Sequence, residues 1–233
     1  MLVSRGCNRD SMALMKLISE RPGVLGAKLD TYLSHDEAFA AAFAYTKRRF
    51  ESAEQLTAHN WAHCYRDTLN AIVIGEAEGA DMSIVLPAIT MHDIGFLYGA
   101  IGKTHAAVGA DHLATYLEEA GISYPASIVD QIADCIRTHK GSLHRQKPES
   151  LEAKVVADAD LLEKFGPFGI YQNLRSFTEF NYSLEKILGR RAEIETATLE
   201  TATGRRLAEP GRQFVIAFYE ELAEANKPYE LAD

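Results

Sequence analysis

The chain has 233 residues, of which 47% are hydrophobic and 24% charged, a mixture that excludes a disordered polymer and suits one large domain better than two. With 24 Lys and Arg against 33 Asp and Glu the formal net charge is -9, so duplex nucleic acid would meet a repelling body and is not an expected partner. Three cysteines without a CxxC pair exclude a disulfide framework and a cysteine zinc site.

No apolar run reaches the roughly 18 to 20 residues that a membrane span needs. Near the N-terminus Arg5, Arg9, Asp10 and Lys16 interrupt any signal-like apolar stretch. The expectation is a soluble, cytoplasmic protein without a membrane partner. Nearly every apolar segment repeats at three and four residues and none alternates at two, which predicts an all-α fold.

In chain order, residues 1–34 read as a short helix ending near Arg21-Pro22-Gly23 and then a variable connection. A helix follows over 35–50, with Ser34 and Glu37 as its capping box. Trp61, Tyr65, Leu69, Ile72 and Val73 form one helical stripe; Ile84, Val85, Ala88 and Ile89 form another, kinked or started late by Pro87. Further helices are predicted from Val108 to Leu117 before Gly121, from Ile128 to Ile136 before Gly141, and from Leu151 to Leu162 before Gly166, each with glycine as its stop. Residues 167–233 read as two or three more amphipathic helices, with Pro210-Gly211 as the clearest break. The expected organisation is an N-terminal helical extension (1–50), a core (51–180) and C-terminal helices (181–233) packed on it as one domain overall.

Several histidines fall where an amphipathic helix should carry an apolar residue. His92 continues Ile84 and Ala88 at four-residue spacing, Asp93 continues Val85 and Ile89, and His139 continues Ile132 and Ile136. A carboxylate on a buried face needs a hydrogen-bond donor, a cation or a metal. Together with His63, His105 and Asp160 on other predicted helices, these residues make a set of imidazole and carboxylate ligands that suits Mn, Fe, Zn, Co or Mg. His59 and His63 have the spacing of a helical zinc pair, but position 60 is Asn, which removes the general base of a zinc protease. His112 and His144 read as surface histidines.

In this order the residues resemble the HD-domain superfamily, helical metal-dependent hydrolases named for the His-Asp pair. The resemblance lies in His59-Asn-Trp-Ala-His63-Cys-Tyr-Arg66, Ala88-Ile-Thr-Met-His92-Asp93-Ile-Gly95 and Glu152-Ala-Lys-Val-Val-Ala-Asp158-Ala-Asp160-Leu-Leu162, with His105 and His139 between them. It spans about residues 57 to 175. The bare pair His35-Asp36 carries no such context.

The resemblance implies a compact multi-helix HD-domain bundle with extra terminal helices. It implies a first divalent ion held by His63, His92, Asp93 and Asp160 and a second held by His105 and His139 with Asp93 bridging. Asp158 lies two residues before Asp160 and cannot share its helix face; Asp160 is preferred because the family places an Ala before the ligand and an aliphatic residue two after it. His59 and Asp158 are then expected behind the ligands. Asp93 is the expected catalytic carboxylate, orienting a water or taking its proton, and Arg66 resembles the family arginine that contacts substrate phosphate.

The run Arg137, Lys140, Arg145, Lys147 has no acidic residue in it, and Lys140 and Arg145 are candidates for binding phosphate. No Walker-type glycine loop is present. The implied activity is hydrolysis of a phosphoester or phosphoanhydride of a small phosphorylated molecule, nucleotides being the first class to test. Alternatives are a di-iron oxygenase of the HD-domain type and a non-catalytic regulatory module stabilised by metal. A homo-oligomer is compatible with all three.

Overall fold

The computed structural model describes residues 22–227, which form helices and short 3-10 turns with no strand among the described residues. The helices are α1 (Pro22–His35), α2 (Glu37–Glu51), α3 (Trp61–Glu78), α4 (Met82–Thr90), α5 (His105–Ala120), α6 (Ala126–Thr138), α7 (Leu151–Leu162), α8 (Gly166–Glu179), α9 (Leu184–Leu188), α10 (Arg190–Thr196) and α11 (Ala202–Ala225). The short helix expected before Pro22 lies outside the described residues.

Local chemistry starts most of the core helices. Asn60 accepts the His63 amide at 3.2 Å to open α3, and Ser150 accepts the Ala153 amide at 3.1 Å to open α7. Gly121, at φ 68°, ends α5 in the left-handed conformation that glycine adopts without steric cost.

Three expectations are corrected. The variable connection before residue 35 is helix α1, because Leu25 and Leu29 are buried against Phe39, Ile72 and Leu86; that burial outweighs the poor helix propensity of Gly23 and Gly26. The cap of α2 is Asp36, which accepts the Phe39 amide at 2.8 Å, whereas the Ser34 hydroxyl donates to the Thr31 carbonyl inside α1. Pro210-Gly211 is no break but lies within the 24-residue α11. There Gly211 lets the helix press onto the start of α8: a Cβ at Gly211 would stand 2.6 Å from the Gly166 nitrogen.

The main core surrounds α4, which packs on α2, α3, α6 and α7 and is buried from Ile84 to Thr90. Ile84, Val85 and Ile89 meet Ala71 and Ile74 of α3, Ile132 and Ile136 of α6, and Val155 and Val156 of α7. Burying each such side chain is worth roughly 1.5–3 kcal/mol, so the end of α4 is held at the centre of the bundle. A second core joins α8, α10 and α11 through Ile170, Phe177, Ile194, Val215 and Tyr219.

On α3 the predicted stripe is only partly interior. Ile72 is fully buried, whereas Tyr65, Leu69 and Val73 are half-buried beside α1, and a neighbouring deep face carries His63, Cys64, Asp67, Thr68, Ala71 and Ile74. The helix therefore presents two ionisable side chains to the interior.

Candidate metal centre

Five helical segments bring ionisable side chains together. His63 and Asp67 come from α3, His92 and Asp93 from the turn after α4, His105 from the start of α5, His139 from the end of α6 and Asp160 from α7. All are buried. Gly95, just after the His-Asp pair, makes room for α5: a Cβ there would stand 2.0 Å from the His105 carbonyl oxygen and 2.9 Å from the Gly109 nitrogen.

The imidazoles are oriented alike. The Nδ1 atoms of His92 and His139 lie 2.6 Å from the carbonyls of Ile89 and Ile136. His105 Nδ1 bonds the Gly102 carbonyl and His63 Nδ1 bonds the Glu163 carboxylate. With a hydrogen on each Nδ1, every Nε2 keeps its lone pair for the centre, the tautomer that metal-binding histidines use.

The Nε2 atoms form two groups joined by Asp93. His63 and His92 lie 3.3 Å apart, and Asp93 Oδ2 is 3.3 and 3.4 Å from them. His105 and His139 lie 3.0 Å apart, and Asp93 Oδ1 is 3.2 and 3.6 Å from them. Asp160 Oδ1 is 3.7 Å from His63 Nε2, and Asp67 Oδ2 is 3.7 Å from His92 Nε2. Ligand atoms of His63, Asp67, His92 and Asp160 all fall within 4.8 Å of one another, as do those of His92, Asp93 and His139. An ion with bonds of about 2.0–2.2 Å spaces its ligand atoms by about 3 to 4 Å, so the set fits a divalent metal.

Charge balance agrees with the spacing. Both carboxylate oxygens of Asp67 and both of Asp93 are buried without a hydrogen-bond partner, a costly state that a cation relieves. Burial, opposed chiefly by His63, lifts the Asp67 carboxyl to about 8. For Asp93 burial also acts upward, but His92, His139 and His63 outweigh it and hold the carboxyl well below its usual range. His139 is pushed down to about 4, mainly by burial. Burial depresses His63 too, yet the charges of Asp67 and Glu163 raise it well above an ordinary histidine.

Asp67 and Glu163 had no place in the sequence-based set. Asp67 reads in sequence as a surface partner of Arg66; the structure buries it fully, and its spacing of four from His63 on one helix was the available signal. Arg66 pairs instead with Glu163, and its guanidinium lies 4.4 Å from the Phe168 ring centroid. Arg66 thus braces the carboxylate behind His63 rather than facing the other imidazoles.

Asp158 and Asp160 diverge. Asp158 accepts from the Glu200 and Thr201 amides at 2.8 and 2.7 Å and from the Thr201 hydroxyl at 2.6 Å, capping the approach to α11. It lies apart from the imidazoles. Asp160 instead receives Lys140 Nζ at 2.8 Å and Lys164 Nζ at 2.7 Å. Burial acts upward on Asp160, but the two ammonium groups hold it well below the carboxylate range. His59 pairs its Nδ1 with Glu179 Oε1 at 2.6 Å, and its ring packs against those of Phe96 and Phe180.

The basic run after His139 splits up. Lys140 turns into the centre, Arg137 pairs with Asp111 at 2.7 Å, and Arg145 and Lys147 are exposed, away from the pocket described next. Arg145 is not among the residues that line that pocket, although its neighbours Leu143 and His144 are.

Two cavities flank the end of α7. The larger, about 470 Å³, is walled mainly by apolar residues, among them Leu69, Leu162, Phe165 and Leu207, and its lining includes Arg66 and Glu163 but no histidine. The smaller, about 180 Å³, opens over His105 and contains Lys103, Lys140, Lys164, Lys186 and Arg190 against a single carboxylate, Glu193. His144, expected at the surface, lines this smaller pocket, where burial and Lys140 push it down to about 4. His112 stacks on Tyr98 away from the centre. Among the described residues no helix is long and apolar enough to cross a membrane.

Residues 60–164 match the HD domain family. Among solved structures, one described as a predicted HD superfamily hydrolase from an uncultured Thermotogales bacterium is similar at 28% identity and a TM-score of 0.54, covering 79% of this chain and 91% of its own. An HD-superfamily hydrolase from Bacillus thuringiensis shares the fold at 20% identity and a TM-score of 0.56, with 81% of this chain and 96% of that one covered. YpgQ of Bacillus subtilis, solved in complex with ADP, does so at 22% identity and a TM-score of 0.54, over 81% of this chain and 97% of its own. No curated protein matches.

Proposed function

Since residues 60–164 of this chain are an HD domain, we propose that it is a metal-dependent phosphohydrolase that cleaves a phosphoester or phosphoanhydride of a small molecule. The observation that carries this reading is the pairing of four Nε2 atoms turned toward unpartnered buried carboxylates with a pocket of five cations that opens onto one of the four, His105. A structural metal site has no use for such a pocket, whereas an anionic substrate does.

In this reading His63, His92, Asp67 and Asp160 would hold one divalent ion and His105 and His139 a second, with Asp93 placed within reach of both groups. When bound, such ions neutralise phosphoryl oxygens and lower the pKa of water from 15.7 to about 7 in favourable sites. Asp93 orients the nucleophile, since its two oxygens reach both groups of imidazoles. Lys140 and Lys164 bind phosphoryl oxygens from the pocket side, and Glu163, braced by Arg66, keeps the His63 ring in register. Phe96, His59 and Phe180 form an aromatic wall of the same pocket and limit water beside the centre. Nucleotides are the first substrates to test, a choice that the ADP complex of YpgQ supports.

The test is metal content of protein purified without added metal or chelator, followed by a phosphate-release screen on wild type and Asp93→Asn. The expected result is at least one Mn, Fe, Co, Zn or Mg per chain and turnover that falls more than about 100-fold in the variant with helical content intact. Two irons with oxygen consumption tied to product would replace this reading by an oxygenase. Bound metal without turnover of any phosphorylated substrate, and a variant that only melts earlier, would replace it by a structural site.

A further inference from the structure

The cations of the small pocket fall into two tiers. Lys140 is buried and Lys164 nearly so, and both ammonium groups are committed to Asp160. Lys103 and Lys186 are exposed, and no carboxylate among the described residues lies within ion-pair reach of either. Arg190 shares its guanidinium between Glu193 and the Asn173 side-chain oxygen, the latter at 3.5 Å, while its Nε is buried without a partner.

These three cations come from three separate segments: the 3-10 turn Gly102–Thr104, α9 and the first residue of α10. The Lys186 ammonium lies 4.7 Å from the centroid of Tyr182, which steadies it at the rim. Against them stands one carboxylate, Glu193, in a protein whose net charge is -9. Like charges drawn to one mouth repel unless an anion sits among them.

We propose that Lys103, Lys186 and Arg190 form a second anion subsite that holds a further phosphoryl group of the substrate, so that the preferred substrate is a phosphoanhydride rather than a phosphomonoester. The proposal rests on the hydrolase reading above. The reacting phosphoryl group lies on the inner tier, beside His105, Lys140 and Lys164, and the next one lies on the outer tier. Size is consistent with this division. At about 180 Å³ the pocket is smaller than the 300–1,000 Å³ of sites that enclose a whole drug-sized ligand. It takes compact phosphoryl groups and leaves the organic part to pass outward over Phe180 and Tyr182. The C-terminal segments, which the sequence left without a role, then set substrate choice.

The test is calorimetric titration of the full chain with inorganic pyrophosphate and with orthophosphate at low ionic strength. It uses the wild type, the double variant Lys103→Ala/Lys186→Ala and the double variant Lys103→Arg/Lys186→Arg. Pyrophosphate is expected to bind the wild type about tenfold tighter than orthophosphate, a margin lost in the alanine pair and kept in the arginine pair. Equal binding of the two anions by wild type, or unchanged pyrophosphate affinity in the alanine pair, overturns the subsite.

Turnover of a phosphoanhydride and a phosphomonoester, measured in parallel, separates the two claims. Lysine-dependent pyrophosphate binding with no turnover of either compound rejects the hydrolase and supports the subsite. Turnover whose anhydride preference survives in the alanine pair supports the hydrolase and overturns the subsite.

Discussion

The two cavities at the end of α7 differ in what their size suggests and what their walls can do. The larger is lined mainly by apolar side chains and includes Arg66 and Glu163 but no histidine. The smaller holds five cations and opens directly onto His105. Volume is therefore a poor guide to chemistry here, because apolar walls lack the donors and charges that recognise a polar substrate. Successive residues of one segment line the two cavities: Glu163, in the larger, pairs with Arg66 and His63, and Lys164, in the smaller, pairs with Asp160.

The largest effect that tests this contrast is expected from Glu163→Gln. It keeps the shape of the side chain but weakens the contacts to His63 and Arg66, and losses at such positions are about 10–100-fold in metal affinity or activity. Metal titration and kcat/KM of the variant check it; a change below twofold would mean that this residue of the larger cavity has no influence on the centre.

Asp158→Asn should act on stability alone. The variant weakens three contacts at residues 200 and 201, an expected loss of about 2 kcal/mol for a buried charged acceptor. Metal content and turnover should match wild type in the same preparation. Loss of metal in a stable Asp158→Asn protein would place this carboxylate in the centre after all.

A pH dependence of the stability of chelator-treated protein is expected as well. Asp67 releases its proton near the ordinary carboxylate pKa of about 3.9 when unfolded, but only at about 8 when folded. Between those values the folded state binds the extra proton, so rising pH costs the wild type stability, and Asp67→Asn is spared that cost. The melting temperature of the variant should therefore gain on that of wild type from pH 4 to pH 8 and hold a constant offset above it. A difference that stays flat across this range would mean that Asp67 is not buried as a carboxyl.

Helical class, the sites of the core helices and the order His63, His92-Asp93, His105, His139, Asp160 were legible because each rests on local information. Period shows which face of a helix is buried, and an ionisable residue on that face stands out, as His92 and His139 do. Asp67 did not stand out because most of the apolar stripe of α3 lies to one side of it, so its spacing of four from His63 was not used to place it inside. Arg66 was assigned to substrate phosphate by resemblance, and its sequence neighbours say nothing of its pairing with Glu163, nearly a hundred positions away.

Residue order and helical period thus follow from the chain alone, since they depend on neighbours within a turn or two. Which carboxylate meets which imidazole depends on how α3, α5, α6 and α7 pack around the buried α4. The pairing of Glu163 with His63, the capping role of Asp158 and the meeting of Lys103, Lys186 and Arg190 at one mouth are set by that packing. Close-packed interiors fix such distances to within an ångström, and spacing along the sequence carries no record of them.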